Sequence, residues 1–156
     1  MMDLIFWRHA EAEDVSASGR DTDRVLTKRG RKQATKIAKW LSTYLPADTQ
    51  VLCSPARRCV ETAAALRNLN RIEIQVADFL SVESTVERIA KEVAMAASNN
   101  TLLIVGHQPN LGLLISRLLG MQQACVVKKG SVWWLAQRCV DDQIHYYIYT
   151  IQLPNL

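Results

Sequence analysis

The chain has no apolar run approaching the roughly 20 residues that a membrane-spanning helix requires. Its start carries Asp3 and then Arg8 inside the apolar opening, unlike a signal peptide, so the expectation is a cytoplasmic protein with no membrane partner. Cysteine is sparse. Cys53, Cys59, Cys125 and Cys139 form no C-x-x-C pair and show no metal-ligand spacing, which reads as buried free thiols and no metal site. Internal repeats, low-complexity tracts and a Pro/Gly linker are also absent, so 156 residues are expected to form a single domain over 1–156.

Acidic residues are scarce in one stretch. Between Arg20 and Lys39 eight cations are opposed only by Asp21 and Asp23. Nucleic-acid binding is one reading of such a run. Lys28, Lys32, Lys36 and Lys39 recur at helical spacing, however, and no aromatics are interleaved to stack on bases. A solvated helix face is the better expectation, with no nucleic acid bound. Such a face could still steer an anionic substrate or an acidic partner.

The apolar runs set the architecture. Leu4–Trp7, Val51–Cys53, Ile72–Val76 and Thr101–Val105 read as strands. Thr27 can cap a helix running to Tyr44 that Pro46 ends. Ser54 followed by Pro55 signals a helix to about Leu69. A third helix is expected from Ser84 to Ala97, with Val86, Ile89, Ala90, Val93 and Ala97 on one face. Asn110 is the expected cap of a fourth, through Leu119. Ser131–Ala136 and Ile144–Ile151 close the chain as a hairpin across the polar Cys139–Gln143 link. Alternating strands and helices argue an α/β fold, a three-layer α/β/α sandwich on a mainly parallel sheet with at least one antiparallel strand.

Three segments carry chemistry. Arg8-His9 follows the first strand, where open α/β sheets gather ligands. Ser54-Pro55-Ala56-Arg57-Arg58-Cys59-Val60-Glu61-Thr62 follows the second, and Gly106-His107 follows the apolar run Thr101–Val105. Phosphoryl hydrolysis wants a nucleophile and cations for the equatorial oxygens. Imidazole is largely unprotonated near neutrality, and guanidinium binds two oxygens at once. Ser54, Arg58 and Thr62, at i, i+4 and i+8, are expected on one helix face, with the Ser54 hydroxyl at its start near a bound anion and Arg57 pointing about 100° away.

In their order and spacing these motifs resemble the histidine phosphatase superfamily, the phosphoglycerate-mutase-like group. Within it, Ala10 after the histidine, the short chain and Asp23-Arg24-Val25-Leu26-Thr27-Lys28-Arg29-Gly30 resemble the SixA-type phosphohistidine phosphatases. The resemblance implies that His9 is phosphorylated as the nucleophile and that Arg8, Arg58 and His107 form the phosphate pocket. Arg24 would add a substrate-binding cation. It implies no cofactor, a pocket that accepts phosphate, sulfate or vanadate, and a histidine-phosphorylated protein as substrate and partner. The chain departs from the larger superfamily twice. Val15 stands near where many members carry an asparagine, and the acid-bearing insertion is replaced by Asp78–Glu87, with Asp78 and Glu83 as possible acids. A phosphohistidine leaves as neutral imidazole once protonated and needs no strong acid. The rival readings are a phosphatase acting on small phosphate monoesters such as sugar phosphates and a non-catalytic phosphoprotein-binding module.

Overall fold

The computed structural model describes residues 2–96 and 100–155. Its strands are β1 (Leu4–Arg8), β2 (Gln50–Cys53), β3 (Ile74–Val76), β4 (Leu102–Gly106), β5 (Val132–Val140) and β6 (Gln143–Gln152). Its helices are α1 (Lys28–Tyr44), α2 (Arg57–Asn70), α3 (Val86–Ala96) and α4 (Asn110–Leu119).

One six-stranded sheet runs in the order β3-β2-β4-β1-β5-β6. The first four are parallel, while β5 is antiparallel to both β1 and β6. Side chains alternate across the strands, and each face buries its own apolar cluster. Ile5, Trp7, Leu103 and Val105 pack with Ile37, Leu41, Ala63 and Leu66 of α1 and α2. Leu4, Phe6, Leu102 and Ile104 pack with Ile89, Val93, Leu114 and Ile115 of α3 and α4. The architecture is therefore the expected three-layer α/β/α sandwich on a mainly parallel sheet.

Local chemistry explains most boundaries. The Thr27 hydroxyl accepts the Gly30 N–H at 2.9 Å and caps α1 as expected. Gly30 itself answers a close approach: a Cβ there would lie 1.9 Å from the Glu11 carbonyl oxygen. The polar stretch after β1 is thereby fastened to the start of α1, and Thr27 N–H donates to that same carbonyl at 3.0 Å. The closing hairpin turns tightly at Asp141 and Asp142, both at positive φ (49° and 63°), which Asp tolerates better than most residues.

Several expectations are corrected. Ser54 does not cap α2; the helix begins at Arg57, behind Ala56, with no side-chain cap. Asn110 does not cap α4 either. It is the first helical residue, and its side-chain amide donates to the Ser84 carbonyl at 3.0 Å. β3 is shorter than Ile72–Val76, starting at Ile74. α3 buries Val86, Ile89 and Val93 as expected, while Ala97 lies outside the described residues. Cys139 is exposed near the hairpin turn, unlike the three buried cysteines.

Candidate active site

Strand register builds the site. β4 lies between β1 and β2, with Arg8 paired to Gly106 and Cys53 to Val105. The next residues, His9, His107 and Ser54, therefore emerge side by side at the C-terminal edge of the sheet. The His9 and His107 rings lie 5.4 Å apart, centroid to centroid. Arg8, His9, Arg58 and His107 line one cavity of about 190 Å³, together with Ala12, Asp14, Arg24, Val82, Gln108 and Lys129.

His9 is held in one tautomer. Its Nδ1 lies 2.8 Å from the Ala10 carbonyl oxygen, which can only accept, so Nδ1 carries the hydrogen and Nε2 keeps a free lone pair. The backbone behind it is also fixed. Ala10 N–H donates to Thr62 Oγ1 at 3.0 Å, and that hydroxyl donates to the Arg58 carbonyl at 2.7 Å. The strand end that carries His9 is thus tied to the same helix turn that carries Arg58.

Burial pushes the His9 pKa down to about 3 against the raising effect of the Ala10 hydrogen bond, and the charges of His107, Arg58 and Arg8 lower it further. Burial and then Arg58 bring His107 to about 4. Both rings are neutral at pH 7. Ser54 is fully buried, with its hydroxyl 2.7 Å from His107 Nε2. That hydroxyl already accepts the Ala56 N–H at 3.3 Å. Its proton and its second lone pair both remain, so it pairs with His107 Nε2 in either tautomer. Cys59 Sγ sits 3.5 Å from the same Nε2, and burial pushes its thiol up to about 12, so it packs as a neutral group.

The two guanidiniums show what the cavity lacks. Arg8 donates Nη1 to the Val127 carbonyl at 2.9 Å, and Arg58 donates both terminal nitrogens to Asp21. Each Nε is buried without a partner. Orphaned buried donors on two cations are costly unless an anion completes them. The donor set fits a tetrahedral oxyanion.

The histidine phosphatase superfamily, branch 1, matches residues 4–81, half of the chain. The chain belongs to that superfamily. A Mycobacterium leprae protein is 35% identical over 106 residues, covering 64% of this chain and 61% of its own length, so the match spans less than two thirds of that relative. A solved structure of a candidate phosphohistidine phosphatase SixA from Nakamurella multipartitia is 26% identical with a TM-score of 0.80, covering 98% of this chain and 96% of its own. A mycobacterial glucosyl-3-phosphoglycerate phosphatase complexed with VO3 shares the fold at 15% identity and a TM-score of 0.75, over 96% of this chain and 98% of its own.

For a histidine phosphatase superfamily chain, the remaining expectations divide. Arg24 does line the cavity, but its Nε is engaged by Asp21 at 3.0 Å and its Nη1 by the Glu13 carbonyl at 3.0 Å. Arg57 turns outward to Glu61. Asp78 and Glu83 are both exposed and neither lines the cavity; the 3-10 turn Asp78–Leu80 and the bend after it send Val82 there instead. Ser54 is likewise absent from the lining, because it sits behind His107 rather than at the anion. Val15 is 78% exposed, while its neighbour Asp14 lines the mouth. Asp14, Asp21 and Lys129 are the charged residues at the site that sequence reasoning did not assign to it. Asp21 and Lys129 lie in polar segments with no periodic or motif signal, and their place follows from loop closure alone.

Proposed function

We propose that the chain is a phosphatase that removes phosphate from a histidine-phosphorylated protein through a phosphohistidine on His9. The observation that carries this is the free Nε2 of a neutral His9 beside two buried guanidinium Nε groups without partners.

In the first step Nε2 attacks phosphorus, the new N–P bond forms, and the substrate's N–P bond breaks. The substrate imidazole, already protonated on its other nitrogen, departs neutral. Arg8 and Arg58 balance charge on the transferring oxygens, and His107, in the tautomer with its hydrogen on Nδ1, donates to one of them. In the second step water attacks phosphorus, dihydrogen phosphate leaves, and His9 regains its lone pair while Nδ1 keeps its hydrogen. Arg8 and Arg58 supply positive charge for the transferring oxygens from side chains, so turnover is expected to survive a chelator.

The 26% identical Nakamurella protein carries the phosphohistidine phosphatase name, which supports this substrate class. The absence of Asp78 and Glu83 from the cavity supports it as well, since an imidazole leaving group needs no strong acid.

Asp14 favours a second reading, a phosphatase of small monoesters, because a protonated carboxyl group at the mouth could donate its proton to an alkoxide leaving group. The structural likeness to a glucosyl-3-phosphoglycerate phosphatase belongs with that reading. The experiment compares kcat/KM on a phosphohistidine protein with that on p-nitrophenyl phosphate and a sugar phosphate. A marked preference for phosphohistidine, untouched by Asp14→Asn, supports the first reading. A sugar phosphate that turns over best and fails in Asp14→Asn establishes the second.

A further inference from the structure

The catalytic cavity opens onto a basic surface. Lys129 and Arg8 line both that cavity and a neighbouring one of about 390 Å³, where Arg29, Lys128 and Asn155 join them. Lys36 donates to the Asn155 carbonyl, which carries the positive charge onto α1. From there Lys28, Arg31, Lys32, Lys36 and Lys39 flank a shallow groove along the exposed side of that helix.

Among the described residues lining these two grooves Glu11 is the one carboxylate, and it is engaged by the Thr27 hydroxyl at 2.7 Å. Lys128 and Lys129 with the six cations of α1 make eight. The rest of the chain then holds eleven Lys and Arg against fourteen Asp and Glu, so the formal net charge of +4 hides a molecule that is positive on one side and negative elsewhere. Seventeen helical residues extend about 25 Å, much further than a small phosphorylated metabolite could reach from His9.

We propose that this surface docks an acidic protein face, and that the phosphohistidine presented to His9 lies within or beside that face. The inference rests on the phosphohistidine reading given above. Complementary charge of this extent steers encounter and sets orientation more than it adds affinity, and it weakens with salt. It would also choose among phosphohistidine proteins, a choice that the cavity itself, small and lined for one phosphoryl group, has no means to make.

The test uses two synthetic phosphohistidine peptides with the same core, one flanked by glutamates and one by glutamine and serine. p-Nitrophenyl phosphate serves as a control for fold and chemistry. The wild type is expected to prefer the acidic peptide in kcat/KM by about tenfold at low salt, and to lose that preference near 0.5 M NaCl, where the Debye length falls to about 4 Å. Arg29→Glu/Lys32→Glu is expected to abolish the preference while turnover of the neutral peptide and of p-nitrophenyl phosphate stays within about twofold. Equal turnover of the two peptides by the wild type would overturn the inference and leave the phosphohistidine reading standing. Hydrolysis of p-nitrophenyl phosphate with neither peptide turned over would overturn the phosphohistidine reading instead. In that event fluorescence anisotropy decides the docking alone. A labelled glutamate-rich peptide bound more tightly than a 20-base-pair duplex supports an acidic protein face, and the reverse order refutes it.

Discussion

Asp21 holds both terminal nitrogens of Arg58: its carbonyl oxygen accepts from Nη1 at 3.0 Å and its carboxylate from Nη2 at 3.1 Å. The same carboxylate takes Arg24 Nε at 3.0 Å. The fork of the buried arginine is therefore anchored by a loop residue, and its Nε–H and the second hydrogens of its terminal nitrogens remain for substrate. Burial works to raise the Asp21 pKa, but the hydrogen bond and charge of Arg58, followed by Arg24, prevail and hold it below the usual carboxylate range.

Asp21→Ala is expected to lower kcat/KM on p-nitrophenyl phosphate by about tenfold, the scale of one charged hydrogen bond. Asp21→Asn keeps an oxygen acceptor and should recover part of the loss. Asp21 is half exposed, so the melting temperature should barely move. A rise in phosphate or vanadate affinity in Asp21→Ala would instead identify the carboxylate as a plug in the anion's place.

His9 and His107 make stability depend on pH. Each has a folded pKa depressed from 6.5, to about 3 and about 4 respectively, so the unfolded chain takes up protons first as pH falls. Stability is complete above pH 6.5, declines as pH drops through the window below it, and flattens under pH 3 to 4. At pH 5 each histidine should cost about 2 kcal/mol. Urea unfolding of His9→Asn and His107→Gln between pH 7 and 4 checks this, with each variant expected to lose its share of the slope. His9→Asn should also lack turnover.

Ser54→Ala removes the hydroxyl that holds His107 Nε2 and orphans the Ala56 N–H. The expected result is a fall in kcat of ten- to a hundredfold with KM little changed, as for a donor needed mainly in the transition state. Ser54→Thr, which restores a hydroxyl, should recover activity if it packs. A change in KM alone would place Ser54 at substrate rather than behind His107.

Gly30→Ala tests the tie between the loop and α1. Alanine at an exposed helix position usually stabilises by up to about 1 kcal/mol relative to glycine. Here a Cβ meets the Glu11 carbonyl oxygen at 1.9 Å, and the sign should reverse. Thermal unfolding gives the sign directly. Because the stretch after Glu11 carries Asp14, Asp21 and Arg24 to the cavity, kcat/KM should fall as well.

Much of the molecule is local physics and therefore legible in residue order. The apolar runs at Leu4–Trp7 and Thr101–Val105, the Thr27 cap, the stop at Pro46 and the strand-end placement of Arg8-His9 and Gly106-His107 each depend on neighbours within a few positions. Periodicity and capping report such neighbours faithfully. The Ser54–Pro55 signal misled because the hydroxyl had a stronger partner fifty-three residues away. His107 Nε2 took it, and the helix started two residues beyond Pro55 without a cap.

Residue types and strand ends alone determined that two imidazoles and two guanidiniums would meet at one edge of a parallel sheet. Tertiary structure alone decided which nitrogen of His9 is free, that Ser54 stands behind His107, that Asp21 grips Arg58, and that Asp14 rather than Asp78 or Glu83 reaches the mouth. Those choices are made by loop paths and by competition among hydrogen-bond partners distant in sequence. No spacing rule reports the outcome of such a competition, because its energies exist only once the sheet has brought the competitors together.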